Sequence, residues 1–350
     1  MDQQNESLPI VRPLPDDVCL VEMFSRLSLL PGCLWLDSVS RGPCDPHGQP
    51  IGRYSFLTAD PIKSLVAFAG DPDPWPVLAQ WCDALPDDHD PSLPSFQGGI
   101  AGLIGYEAAT WLESVGMPEA NDLPTPALSL GLYDWSIAFD HQLGKGWLIS
   151  QGLSATEPSQ RLAVAVKRAD YVQQWLFGNP DTEALAADRT KVDSTAFDLQ
   201  DSDLQDSELA DRGLPQTEAP SDLHSVSVPL HQQFPTDHPS VTSNFTSEKF
   251  QQSVAEVVNA IRKGDSFQVN LAQRLLVQQH LKSPDLYLRL RKKNPAPFSA
   301  YYGGDGFTVL SSSPEGFLQV RGSLVETRPI KGTVPRTGHD STDHALAEEL

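Results

Sequence analysis

Cysteine is scarce in this chain, and cations are outnumbered. Four cysteines (Cys19, Cys33, Cys44 and Cys82) stand among 350 residues. They form no C-x-x-C pair and have no histidine at metal-finger distance, so they read as free thiols in a reducing compartment. Lysine and arginine number 25 against 46 aspartates and glutamates, a formal charge of −21. A surface so acidic repels phosphate backbones and anionic lipid heads, so neither nucleic acid nor membrane is expected as a partner. A small anionic ligand needs only a local cationic pocket and stays open. No apolar run approaches the ~20 residues that span a bilayer. The opening Met-Asp-Gln-Gln-Asn-Glu-Ser has neither the basic start nor the apolar stretch of a signal peptide. A cytoplasmic protein is expected.

What is present suits a globular protein: 39% of residues are hydrophobic and 20% charged, enough to close a core. The length allows one large domain or two ordinary ones. Three zones follow one another. Residues 8–178 carry strand-like runs at Cys33–Asp37, Ser64–Ala69, Leu128–Leu132, Trp135–Asp140 and Trp147–Ser150. Helical spacing is read at Asp16–Leu29, with Asp16 as cap, and at Glu157–Leu176. Residues 179–243 hold 13 Asp and Glu against 3 Lys and Arg, a net of −10, and the rest of the chain carries −11. Such a segment buries too little apolar surface to order itself, and an exposed acidic linker is expected.

From residue 244 to 350 the pattern sharpens. Phe250, Val254, Val257, Val258 and Ile261 share a helical face that Gly264 ends. Ser266–Leu271 alternates like a half-buried strand. A helix is expected to start at Ser283-Pro284 and to stop at Asn294-Pro295. Strands are read at Phe298–Tyr302, Phe307–Ser311, Phe317–Val320 and Leu324–Arg328. Hairpin-linked runs of this kind argue for an α+β protein with antiparallel sheets flanked by helices. The final residues, Asp343–Leu350, read as a helix just beginning.

Few residues suggest chemistry on their own. Lys331 stands between Pro329 and Gly332, beside Arg328. A neighbouring cation or burial would lower its pKa from ~10.4 and free its lone pair as a nucleophile; a turn lysine in solvent would have the same spacing. Glu315, after Pro314, fits either a general acid held at a strand corner or a solvated charge. Gln268 and Asn270 fit either ligand contacts or exposed sheet positions. The glycines of Gly98–Gly105 lack the spacing of a phosphate loop and suggest close strand packing.

Four ordered motifs add more: Gly264-Asp-Ser-Phe-Gln268-Val-Asn270, Asn294-Pro-Ala-Pro-Phe-Ser-Ala300, Ser312-Ser-Pro-Glu315-Gly-Phe317 and Thr327-Arg-Pro-Ile-Lys331-Gly-Thr-Val-Pro-Arg336. With Leu36-Asp-Ser38, Gly52-Arg-Tyr-Ser-Phe56 and Phe96-Gln-Gly-Gly99, the chain resembles the chorismate-utilising enzymes. These include the anthranilate, aminodeoxychorismate, isochorismate and salicylate synthases. The resemblance implies chorismate as substrate and Mg²⁺ as cofactor. Water-using members have lysine where this chain has Gln268, and anthranilate synthases typically have alanine where it has Lys331. In these two positions the chain resembles aminodeoxychorismate synthase component I, which aminates chorismate with ammonia from a glutamine amidotransferase partner. In that subfamily the lysine matching Lys331 attacks C2 of chorismate, and the glutamate matching Glu315 protonates the departing C4 hydroxyl.

The resemblance puts Gln268 and Thr333 on the substrate and ammonia side. It gives a tryptophan pocket to Ser38, Arg53, Tyr54, Pro297, Phe298 and Ser299, residues that in its absence only pack the sheet. Gly316 departs from the family's usual arginine, and altered packing or charge near Glu315 is expected. The family's magnesium-binding glutamates are not found before Leu350. The expectation is a C-terminally truncated chain with no metal ligands of its own, inactive alone. The other readings are anthranilate synthase component I and a non-catalytic relative.

Overall fold

The computed structural model describes residues 7–40, 42, 50–117, 122–123, 125–178, 230–330 and 337–349. Its centre is a seven-stranded sheet in the order β1-β8-β7-β3-β2-β12-β13. The strands are β1 (Ile10–Pro13), β2 (Leu34–Asp37), β3 (Tyr54–Thr58), β7 (Trp135–Asp140), β8 (Lys145–Ser150), β12 (Phe298–Gly303) and β13 (Thr308–Ser313). A second sheet orders β4 (Lys63–Ala67), β6 (Leu128–Tyr133) and β5 (Gly99–Ile104) as β4-β6-β5. Every strand pair is antiparallel, as the hairpin-linked pattern requires.

Alternation along β2 shows how the layers form. Trp35 points to one face, where it meets Phe24, Leu27, Trp135, Val172 and Tyr287 in the main core. These come from α1 (Leu20–Leu27), α3 (Pro158–Phe177) and α5 (Ser283–Lys293) as well as from the sheet. Leu34, one residue earlier, points the other way and packs with Tyr133 and Tyr302 beneath the small sheet. Helices thus cover one face and the second sheet covers part of the other, each burying an apolar side that period-two alternation supplies. Gly102 lets β5 approach β6 closely, since a Cβ there would lie 2.2 Å from the Ser129 carbonyl oxygen. Cys33 is buried while Cys19 and Cys82 are exposed free thiols.

Several expectations shift. Helix α1 begins at Leu20 rather than near Asp16, because the Val18 N–H closes a turn onto the Pro15 carbonyl and its cap is Cys19. The helix expected from Ser283-Pro284 forms as α5 with Ser283 as its first residue, and the Ser283 hydroxyl meets that of Tyr301. No strand forms over Ser266–Leu271. Pairing with β10 (Val241–Ser243) begins only at β11 (Leu275–Val277), and Phe267 is 96% exposed. Alternation without a partner strand gives no ladder. The end of the acidic segment is structured: β9 (Phe234–Pro235) and β10 pair across a stretch where Asp237 is the only acid.

Helix α4 (Ser247–Lys263) has Thr246 accepting the Lys249 N–H at its start and Gly264 in left-handed conformation at its end. The hairpin of β14 (Gln319–Arg321) and β15 (Leu324–Glu326) follows β13, and α6 (Asp340–Glu349) comes last. Because β12 pairs with β2, one sheet spans the division that the sequence suggests at residue 243. Among the described residues no helix is long and apolar enough to cross a membrane.

Candidate functional site

Where β2, β3 and β12 run side by side, their ends and the segment after β13 enclose a cavity of 540 Å³. Ser38, Arg53, Tyr54, Pro297, Phe298 and Ser299 all line it. Register explains the grouping, since Ser299 lies opposite Asp37 and Tyr54 opposite Asp140. The Ser38 hydroxyl donates toward the carbonyls of Tyr54 (2.6 Å) and Pro297 (3.1 Å), and its N–H donates to Ser55 Oγ at 3.0 Å. One small residue thus ties three strands together at the cavity edge.

Arg53 forks onto Asp140, with Nε at 3.0 Å and Nη2 at 2.6 Å from Oδ2, and its guanidinium lies 4.9 Å over the Tyr54 ring. Burial pushes the Asp140 carboxyl up. The Arg53 guanidinium and the N–H groups of Leu143 and Gln142 outweigh that and hold it below the usual carboxylate range. Burial also raises the Tyr54 hydroxyl, against the pull of Arg53 and Arg321. In the cavity wall, buried Asp37 accepts Arg291 Nε at 2.5 Å, the Tyr287 hydroxyl at 3.2 Å and Ser55 Oγ at 3.3 Å. These bonds anchor α5 to the sheet.

Glu315 is exposed, two residues past the end of β13. Its Oε1 accepts the Ile330 N–H at 3.2 Å, and Ser313 Oγ bonds both its N–H and its carbonyl. Lys331 and Thr333 lie outside the described residues. Gln268 is exposed, its amide reaching Asn270 Oδ1 at 3.3 Å, and it does not line the cavity. A Cβ at Gly316 would lie 2.8 Å from the Phe298 ring, so glycine there leaves Phe298 its place on the cavity wall.

Sequence reading missed Asp37, Arg321, Glu326 and Arg328 as cavity residues. The break between the strands read at Phe317–Val320 and Leu324–Arg328 hints at a turn where Arg321 sits. Among the described residues no three His, Cys, Asp or Glu side chains come together as a metal site.

The family profile described as chorismate binding enzyme matches residues 44–350. Aminodeoxychorismate synthase component 1 of Bacillus subtilis is 28% identical over 312 residues, covering 85% of this chain and 56% of that protein. The Escherichia coli protein of the same name is 29% identical over 342 residues, covering 93% and 60%. Anthranilate synthase component 1 of Synechocystis sp. is 30% identical over 330 residues, covering 87% and 56%. The chain thus spans little more than half the length of these relatives. Anthranilate synthase component I of Streptococcus pneumoniae has a similar fold, with a TM-score of 0.57 at 22% identity over 85% of this chain and 56% of that one.

Proposed function

The chain belongs to the chorismate-binding enzymes, and from that premise we propose that it serves as aminodeoxychorismate synthase component 1. Chorismate and ammonia would give 4-amino-4-deoxychorismate, with ammonia drawn from glutamine by a partner amidotransferase, in the cytoplasm. The observation that carries this reading is the hydrogen bond from the Ile330 N–H to Glu315 Oε1. It sets a carboxylate against the backbone one residue before Lys331.

In the proposed sequence the Lys331 lone pair bonds to C2 of chorismate, the ring double bonds shift, and the C4–oxygen bond breaks. Glu315 gives its proton to the departing hydroxyl, which leaves as water. Ammonia then bonds to C4, the double bonds shift back, and the C2–nitrogen bond breaks to free the lysine. Glu315, now a carboxylate, takes a proton from the new ammonium. One difficult displacement becomes two easier ones. Gln268 and Thr333 are assigned to the substrate and ammonia side.

Product analysis tests the reading. The protein in its full reading frame, given chorismate, ammonia and Mg²⁺, is expected to form 4-amino-4-deoxychorismate, and anthranilate as sole product would overturn this. Lys331→Ala should abolish product formed by the covalent route while leaving the unfolding midpoint nearly unchanged. Wild-type turnover to the same product in that variant would remove the lysine from the mechanism.

A second site function is proposed for the 540 Å³ cavity, whose size suits a small molecule. It takes tryptophan as a regulatory or structural ligand. Calorimetric titration of protein freed of co-purified tryptophan should show binding, and absence of heat would count against the pocket.

A further inference from the structure

Five charged side chains line the cavity: Asp37, Arg53, Arg321, Glu326 and Arg328. Four are matched. Asp37 holds Arg291, Arg53 holds Asp140, and Glu326 holds Arg328. Arg321 differs, having no hydrogen bond or ion pair among the described residues. It ends β14 at the hairpin turn, where Gly322 takes a φ of 58°, and it is exposed while lining the cavity. Its positive charge nevertheless acts on the Tyr54 hydroxyl.

The same lining includes the apolar side chains of Ile51, Phe56, Phe298 and Phe317. A guanidinium with no partner among the described residues, beside such side chains, suits an apolar body that carries one negative group. Guanidinium and carboxylate meet in a two-pronged geometry that fixes orientation as well as adding attraction. Arg53 and Arg328 already spend theirs on carboxylates of this chain. We propose that Arg321 is a specificity-determining residue of the cavity, taking the carboxylate of a small aromatic acid or amino acid whose ring lies against Tyr54, Phe56 and Phe298. The inference rests on the reading of this cavity as a ligand site and extends it to the group that selects the ligand.

Calorimetric titrations of wild type, Arg321→Gln and Arg321→Lys test it with three probes. These are tryptophan, indole-3-propionate (a carboxylate without the amine) and tryptamine (an amine without the carboxylate). Wild type should bind both carboxylates, and tryptamine about tenfold more weakly or worse. Arg321→Gln should weaken both carboxylates by about tenfold or more, the worth of one charge-assisted hydrogen bond, and leave tryptamine unchanged. Arg321→Lys should recover part of the loss. An exposed hairpin position should leave the unfolding midpoint of both variants at the wild-type value, so lost binding reports the site and not the fold. The proposal is overturned by unchanged carboxylate affinity in Arg321→Gln, by tryptamine binding as tightly as tryptophan, or by wild type binding neither carboxylate. If indole-3-propionate binds through Arg321 while tryptophan does not bind, the tryptophan reading fails and the anchor stands.

Discussion

At Asp140 a carboxylate is 2% exposed and depends on one arginine that keeps a quarter of its side chain in solvent. Replacing Arg53 by glutamine strands that charge among Gln142, Leu143 and the sheet. We expect a loss of roughly 2 to 3 kcal/mol in urea unfolding, less than for a fully buried pair because of the solvent at Arg53. The double variant Arg53→Gln/Asp140→Asn should lose less than the two single losses summed. The Asp140 carboxyl is held below its unfolded value. Its stabilisation is therefore complete above the ordinary carboxylate range and drains as pH falls through the lowered native value. Arg53→Gln should flatten that acid limb of the stability profile, and an unchanged limb would show that the pair contributes nothing there. Sequence reading grouped Arg53 with Ser38 and Tyr54, and they do share a cavity. It could not name Asp140, 87 positions away, because nothing local in the chain encodes which carboxylate a folded sheet will bring alongside.

Helix α4 shows the same limit at the scale of an element. Its apolar spacing and its glycine stop were both legible, and the helix runs to Lys263 as that stop requires. None of its residues is buried, so its caps carry an unusual share of its stability. Thr246→Ala removes the side chain that accepts the Lys249 N–H and should cost about 1 kcal/mol. Gly264→Ala puts a Cβ on a φ of 84° and should cost about as much. Both losses should appear as roughly fivefold faster amide exchange confined to α4; exchange that rises across the central sheet instead would mean that α4 is coupled to the core. The residues that follow it went the other way. Phe267, Val269 and Leu271 alternate as well as β12 does, yet only β12 has neighbours on both sides, β2 and β13. Periodicity is a property of a segment, whereas a strand is a property of a pair.

Across the whole molecule, the sheet is one object assembled from two distant stretches of chain. A chain ended at Gly178 would lack β12, β13 and α5 and would uncover Trp35 and Phe24, which stack with Tyr287 and Tyr301 at 4.8 to 5.7 Å. Such a chain is expected to bind a hydrophobic dye and to unfold without a sharp transition; cooperative unfolding at the wild-type midpoint would show that the first 178 residues are self-sufficient. The pairing also has a clock. Ser38 and the Pro297 carbonyl that it meets are 259 positions apart, and synthesis at ~5–20 residues per second separates their emergence by roughly 13 to 50 s. For that interval β2 leaves the ribosome with one edge unpaired. The nascent protein needs a companion on that edge, or a chaperone to hold it, until its own distant strand arrives.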